Sequence, residues 1–234
     1  MKTIFLTLAL LLGAVAVPGP TCTPDTCTVS LPAAPAVPYG RIQGEIDEEV
    51  ATKTADFLRK AEADEAGAVI LEINTPGGSV DAGFHISKAI EESKVPVYCI
   101  VDGMAASMGM YILQSCDIRV MTDRSTLMWH TPSVRGMFGG DIEAWKVGAS
   151  RVIGRLEVLQ KAMNRHVARR LNLTPAQVQA RVGHGREWWM ESEGAVQVQA
   201  VDVVVQSVLQ LRAQVMKKVQ ELSVKKEVDS ISRP

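Results

Sequence analysis

From about residue 41 onward, compact apolar runs alternate with segments in which apolar residues recur at helical spacing. The runs GAVILEIN and VPVYCIV are typical of buried β-strands. The segments EEVATKTADFLRKAEA and VDAGFHISKAIEES carry apolar residues every three or four positions, as amphipathic helices do. Strands that alternate with helices predict an α/β fold with a largely parallel sheet. Shorter strands are predicted in GRIQGEI, DIRVMT and STLMWHTP.

The second half of the chain is predicted to be mainly helical. One long helix is expected from about Asp141 to Leu171, and Thr174-Pro175 is typical of the start of another. Two glycine-rich turns are expected directly after strands, at NTPGGSV and DGMAASMG.

The N-terminal residues differ from the rest. Lys2 precedes an apolar run of about 14 residues, a pattern that predicts a secretory signal peptide over 1–17. The run is short for a helix that spans a bilayer core of roughly 30 Å. An uncleaved anchor or a chance apolar start remains the alternative. A proline-rich linker follows over 18–40. The domain is expected over 41–208, with a charged, amphipathic tail over 209–234.

Composition narrows the function classes. The chain is 47% hydrophobic, 22% charged and 5% aromatic, with a net charge of −1, so no nucleic-acid partner is expected. Cys22 and Cys27 in the linker would close a disulfide loop in an exported protein, whereas Cys99 and Cys116 are expected to be packed thiols. No Cys/His spacing suggests zinc, and neither a metal nor a cofactor is expected.

One serine and one histidine are candidates for catalysis. Loops at the carboxyl ends of parallel strands converge on one edge of a sheet. Ser107 opens a helix at such an end, although a small residue in a tight turn explains it equally well. His130 ends the apolar stretch TLMW before Thr131-Pro132 and reaches the same edge, where it would serve as the base of a serine nucleophile. His166, among arginines on the long helix, is expected at the surface.

Three motifs together carry a family resemblance. INTPGGSVDAG, GMAASMG and MWHTP, in this order, resemble the proteolytic subunit of the Clp protease, as does the long helix followed by REWWMESEGAVQVQAVD. The similarity covers about residues 41–205. It implies an α/β fold of the Clp protease and crotonase type, with repeated ββα units in a superhelix and a protruding long helix. It also implies a serine endopeptidase.

The resemblance assigns roles to residues. Ser107 becomes the nucleophile and His130 the general base, while the backbone N–H groups of Gly78 and Met108 form the oxyanion hole. The glycine-rich strand SVRGMFGGD would hold an extended peptide by main-chain pairing. Its substrate-binding residues are Gly136, Met137, Phe138 and Gly139.

The third member of the triad departs from the family pattern. The family has an aspartate about 15 residues before the Val-Asp that closes the domain, and this chain has Glu187 there. A glutamate can orient an imidazolium as an aspartate does. A solvated Glu187 beside a Ser-His dyad is the alternative. Other candidate acids are Asp202, Asp117 and Glu191.

The resemblance also implies partners. Family members form two stacked seven-membered rings around a chamber, interlocked through the long helix and fed by an ATP-dependent unfoldase. The substrate would be a peptide or an unfolded protein. The leader predicts an exported or membrane-associated protein, whereas the family works in the cytoplasm, and both localisations stay open. An exported copy would degrade short or already unfolded chains without ATP.

Two other hypotheses remain, and a third is not favoured. A non-catalytic ring subunit is compatible with glutamate in place of aspartate, and a crotonase-like acyl-CoA enzyme would share the scaffold. Peptidases of the signal peptide peptidase A type use a Ser-Lys dyad, but Lys88, Lys94 and Lys146 stand in no matching motif.

Overall fold

The computed structural model describes residues 35–133 and 142–231, with the backbone alone for 142–147 and 226–231. No helix among these residues is long and apolar enough to cross a membrane. The expected leader over 1–17 lies outside the described residues. The elements follow in the order β1 Tyr39–Ile46, α1 Glu48–Ala63, β2 Val69–Gly78, α2 Val80–Glu91, β3 Val97–Ala106, α3 Met108–Leu113, β4 Ile118–Thr122, β5 Thr126–Trp129, α4 Ile142–Arg170, α5 Pro175–Val182, β6 Trp188–Met190, α6 Ser192–Gln197, β7 Val203–Val205 and α7 Val208–Ile231.

The central sheet is parallel, in the order β1-β2-β3-β4-β7, and confirms the predicted α/β class. Side chains begin the crossover helices where the sequence predicts them. Asp47 caps α1 by accepting from the Val50 N–H, and Ser79 caps α2. Thr174 and Gln177 form a reciprocal capping box at the start of α5.

On the side away from β2, strand β3 pairs with two different strands along its length. Its first half, Tyr98 to Val101, pairs with β4. Its second half pairs with β5, with Met104 opposite Thr126 and Ala106 opposite Met128. The short strand β6 then adds to β5 in the antiparallel direction. Because β5 runs parallel to the second half of β3, the two strands end at the same edge of the sheet.

Both faces of the sheet are buried, as expected for a parallel sheet. On β2, Val69, Leu71 and Ile73 face the larger core formed with α1, α2 and α3. Ala68 and Ile70 face a second cluster, which α7 covers. Part of the segment that the sequence sets apart as a charged tail therefore packs against the sheet. The residues of α7 buried there are Leu211, Val215 and Val219.

The two glycine-rich segments expected as turns are strand ends instead. Strand β2 continues through Gly78 and β3 continues to Ala106, with a shift of register between Ile73 and Thr75. Glycines in the left-handed region, such as Gly77 and Gly103, allow this irregular pairing. Sequence reasoning missed β6 and β7 because three-residue strands are too short for a period-two pattern to appear.

The prediction of two packed thiols at Cys99 and Cys116 is wrong, because these residues form a disulfide. The bond joins β3 to the residue that follows the turn after α3, and neither cysteine is exposed. Their apolar surroundings explain the burial but do not reveal that the two residues face each other. Cys22 and Cys27 lie outside the described residues.

Candidate active site

The pairing of β3 with β5 brings the two predicted catalytic residues together. Because Ala106 lies opposite Met128, Ser107 and His130 both follow directly at the shared edge. The Ser107 N–H donates to the Met128 carbonyl oxygen at 2.8 Å, which holds the serine backbone against β5. The Oγ of Ser107 lies 2.7 Å from the Nε2 of His130. A proton can pass directly between these atoms.

Ser107 has an unusual backbone conformation for a residue with a side chain. Its φ is +54° and its ψ is −116°, immediately before the first turn of α3. Non-glycine residues rarely adopt a positive φ, and they keep it only when their surroundings fix it. The next residue, Met108, is the first of α3, so its N–H has no acceptor within the helix.

Two glycines of β2 form the wall beside the serine. A Cβ atom on Gly77 would lie 2.6 Å from the Ser107 Cβ and 2.9 Å from the Ala106 carbonyl oxygen. A Cβ on Gly78 would lie 2.3 Å from the Ile46 carbonyl oxygen. Both positions therefore exclude any side chain. Sequence reasoning selected Gly78 alone, although the doubled glycine signals that the backbone approaches closely at both positions.

Glu187 stands one residue beyond the short antiparallel ladder, as His130 does on the facing strand. The ladder ends at the pair Trp129–Trp188, which follows Met128–Trp189. The carboxylate of Glu187 is exposed, and its Oε2 accepts from the Trp189 Nε1 at 2.9 Å. Among side chains 35–133 and 148–225, the histidine rings within 4.0 Å of a carboxylate are those of His85 and His166. The Glu187 carboxylate therefore bonds to Trp189, and no hydrogen bond among the described side chains joins it to His130.

The other candidate acids have different partners. Asp202 accepts from the backbone N–H and the Nε of Arg119, at 2.8 and 3.0 Å. Burial alone would raise the pKa of Asp202, but these hydrogen bonds and the Arg119 charge hold it below the usual value. Asp117 accepts from the Val97 N–H at 2.8 Å, and Glu191 is the N-cap residue of α6. The Asp202 and Asp117 carboxylates therefore bond to the scaffold, whereas the Glu191 side chain makes no capping hydrogen bond.

His166 is not at the surface, contrary to the prediction. It is 7% exposed and stacks on Tyr111 with ring centroids 4.0 Å apart. Burial lowers the pKa of His166 and favours the neutral ring. Its Nδ1 accepts from Arg169 at 2.9 Å. The charged neighbours in the sequence point to the surface, but His166 lies on the buried face of α4 together with Met163 and Val167.

The predicted substrate-binding residues Gly136, Met137, Phe138 and Gly139 lie outside the described residues. The structure therefore describes the wall formed by β2, β3 and β5, on which the serine and the histidine meet.

Comparison with known proteins identifies the family. The profile of the family described as "Clp protease" matches residues 41–208. The chain is 33% identical over 112 residues to the ATP-dependent Clp protease proteolytic subunit 1 of Chlamydia trachomatis serovar D, covering 46% of this chain and 58% of that protein. It is 30% identical over 146 residues to the same subunit of Protochlamydia amoebophila, covering 59% and 66%.

A third relative is the ATP-dependent Clp protease proteolytic subunit of Leuconostoc citreum, 38% identical over 102 residues that cover 42% of this chain and 50% of that protein. The matches span about half to two thirds of the length of these curated relatives. The family profile, in contrast, spans both glycine-rich strand ends, the Ser-His pair and α4. The chain belongs to the Clp protease family.

Proposed function

We propose that the chain is a serine endopeptidase that cleaves peptides or unfolded proteins through an acyl-enzyme. The observation that carries this proposal is the 2.7 Å contact between the Ser107 Oγ and the His130 Nε2. A serine hydroxyl is a weak nucleophile until a neighbouring base takes its proton. Here the base is within hydrogen-bond distance, and Ser107, which has a positive φ at the start of α3, is only partly buried.

The chemistry follows from this pair. The Ser107 Oγ bonds to the substrate carbonyl carbon while its proton passes to the His130 Nε2. The tetrahedral intermediate collapses, the C–N bond breaks, and His130 gives the proton to the leaving amine. A water molecule then attacks the ester, again giving a proton to His130. Release of the acid returns that proton to the Ser107 Oγ.

The negative charge on the substrate oxygen needs donors fixed in advance. The backbone N–H groups of Gly78 and Met108 are proposed for this role. Met108 is suited to it because the first N–H of a helix has no internal acceptor. Gly77 supports the same role indirectly, since any side chain there would displace Ser107.

Glu187 is the proposed third member of the triad. Its place one residue beyond the β5–β6 ladder, in register with His130, supports this role, since residues paired in an antiparallel ladder have Cβ atoms about 5 Å apart. A glutamate side chain is one methylene longer than the aspartate of the family. Its carboxylate would accept from the His130 Nδ1 and stabilise the imidazolium that forms during catalysis.

Family membership supports the proposed assembly. The subunits would form a seven-membered ring or a double ring, with α4 between the rings. Gly136, Met137, Phe138 and Gly139 would pair with the backbone of an extended substrate. The relatives are named as subunits of an ATP-dependent protease, so an unfoldase is the proposed partner of a cytoplasmic copy.

The Cys99–Cys116 disulfide supports the exported alternative, because disulfides persist in oxidising compartments. An exported enzyme would act without ATP on peptides and on chains that are already unfolded.

Labelling with a fluorophosphonate probe tests the proposed chemistry. We expect the purified protein to react at Ser107, and the Ser107→Ala and His130→Ala variants to lose labelling and peptide cleavage. Matched controls are Ser223→Ala on α7 and His85→Ala at an exposed surface position, which should both label normally. A folded protein that stays unlabelled while a control hydrolase reacts would refute the proposal. Native mass measurement of the same sample gives the number of subunits.

One observation favours a second candidate, a non-catalytic ring subunit. The Glu187 carboxylate bonds to Trp189 and not to His130. A non-catalytic subunit would assemble into rings but would neither label at Ser107 nor cleave peptides.

A further inference from the structure

The register of the β5–β6 ladder gives the Glu187 carboxylate two candidate hydrogen-bond donors. One is the His130 ring, since His130 and Glu187 each stand one residue beyond the last pair, Trp129–Trp188; the other is the Trp189 indole, two residues further along the chain. Residues that alternate along a strand share a face, so Glu187 and Trp189 project to the same side as His130 and Met128. The structure shows the carboxylate on the indole, at 2.9 Å from its Nε1.

The rotamer that places the Glu187 Oε2 on the indole makes no hydrogen bond to His130 among the described side chains. The three side-chain torsions of Glu187 let the carboxylate rotate between the two donors while the backbone stays in place. Both Glu187 and Trp189 are exposed, the indole by 50%, so the rotation displaces no packed core residue. The choice between indole and imidazole is therefore made by the two hydrogen bonds and not by the fold.

We propose that Trp189 is a positioning residue that holds the Glu187 carboxylate away from His130 in the resting enzyme. The inference rests on the proposed serine peptidase function. While the indole keeps the carboxylate, Ser107 and His130 act as a dyad. When the carboxylate rotates to the His130 Nδ1, it fixes the ring tautomer and stabilises the imidazolium, and the triad is complete. Trp189 thus sets the fraction of enzyme with a complete triad.

The variant Trp189→Phe tests the proposal, because it keeps an aromatic ring and removes the N–H donor. We expect kcat for a short peptide to rise about fivefold, with KM nearly unchanged, since the released carboxylate acts on the transition state. Trp188→Phe is the matched control. Its ring lies against the Arg181 guanidinium, on the opposite face of β6, and this change should leave kcat as it is.

A double-mutant cycle shows whether Trp189 acts through Glu187. In a Glu187→Gln background, Trp189→Phe should no longer raise kcat. A rise of the same size in that background would overturn the proposal. A fall in kcat, or no change, in the single Trp189→Phe variant would also overturn it, because the indole would then support the acid or be irrelevant to it.

A second measurement separates this proposal from the proposed function. The indole N–H signal of Trp189, assigned by its loss in Trp189→Phe, should shift and exchange faster with water in Glu187→Ala. This readout needs no catalysis. An unlabelled, inactive protein would refute the peptidase, whereas an indole signal insensitive to Glu187 would refute the positioning role even in an active enzyme.

Discussion

The two halves of the candidate triad are held by very different structures. Ser107 and His130 lie at the ends of strands whose pairing is buried, and the Ser107 N–H is itself bonded to β5. Glu187 lies immediately before the three-residue strand β6, with an exposed side chain bonded to the half-exposed Trp189. The proposed nucleophile and base are therefore fixed by the core, while the proposed acid depends on a local hydrogen bond.

This difference indicates where variation is tolerated. Moving the serine requires rearrangement of β2, β3 and β5 together, because close backbone contacts join them. Moving the acid requires only side-chain rotation at the edge. We therefore expect substitutions near Ser107 to have large effects and substitutions near Glu187 to have small ones.

The largest effect is expected for Gly77→Ala, which would displace Ser107 in the buried part of the candidate triad. Its Cβ would meet the Ser107 Cβ at 2.6 Å, and the φ of +100° is itself unfavourable for alanine. A displacement of the nucleophile by about 1 Å costs on the order of 100-fold in rate, so fluorophosphonate labelling should fall by at least that factor. Quenched time courses of fluorophosphonate labelling measure this rate.

Gly44→Ala is the matched control for this change. Gly44 also has a positive φ, of +75°, but a Cβ there would have no atom within 4 Å. It should lower stability by about 1 kcal/mol and leave the labelling rate unchanged. Equal loss of labelling in both variants would contradict a steric role for Gly77.

The next largest effect is expected from removal of the Cys99–Cys116 disulfide. Replacing both Cys99 and Cys116 by alanine removes a bond that closes a 17-residue separation containing Ser107. The lost constraint on the unfolded chain is worth about 3 kcal/mol, so urea unfolding should shift to a lower midpoint. The unchanged protein should shift likewise when reduced, whereas reductant should not affect the double variant. A midpoint that ignores reductant in both proteins would contradict the prediction.

A smaller effect is expected at Asp202, which anchors the segment after Glu187. Arg119, on β4, is 5% exposed at its side chain and also donates to the Gln199 and Arg170 carbonyl oxygens. Asp202→Asn would leave its guanidinium without a charged partner, at a cost of about 2 kcal/mol, since the carboxyl is one-third exposed. Urea denaturation measures this loss of stability. Asp123→Asn, which removes the acid of the exposed Arg124–Asp123 pair, is the control and should cost under about 1 kcal/mol.

The same carboxyl predicts a pH dependence. Because its pKa is lower in the folded protein than in the unfolded chain, the unfolded chain binds more protons as the pH falls. Its stabilising contribution is present above the ordinary carboxyl pKa and is lost as pH falls through the lower folded value. Acid unfolding of Asp202→Asn should lack this part of the dependence, and identical acid profiles would contradict it.

The smallest effect is expected in the exposed segment around Glu187. The Arg181 guanidinium lies 4.9 Å from the centre of the Trp188 ring, next to Glu187 in the sequence. Arg181→Ala should lower stability by about 0.5 kcal/mol, as expected for an exposed cation–aromatic contact, and should change peptide cleavage less than twofold. A tenfold loss of cleavage would show that the acid half is as rigidly coupled as the serine half.

Much of the fold was predictable because its signals are local. The strands β2 and β3, the helices α1, α2 and α4, and the start of α5 follow from apolar periodicity and capping residues. The same holds for the placement of Ser107 and His130, since strand ends in a parallel sheet share an edge. These features need no knowledge of distant contacts.

What the sequence did not predict depends on contacts between distant segments. The Cys99–Cys116 bond, the burial of His166 against Tyr111 and the close approach of Gly77 to Ser107 join elements whose relative rotation no periodicity reveals. The hydrogen bond from Trp189 to Glu187 was also missed, because it is a choice between side-chain rotamers.

Helix α7 has a consequence for synthesis of the chain. Leu211, Val215 and Val219 cover the face of the sheet formed by residues as early as Ala68 and Ile70. A nascent chain that has released β1 through β5 still exposes that apolar face to the cytosol or to a translocation channel. The sheet can be covered only after about 90 further residues have emerged, roughly 5 to 20 seconds at ordinary elongation rates. During that interval a chaperone or the membrane surface would have an apolar strand face to bind.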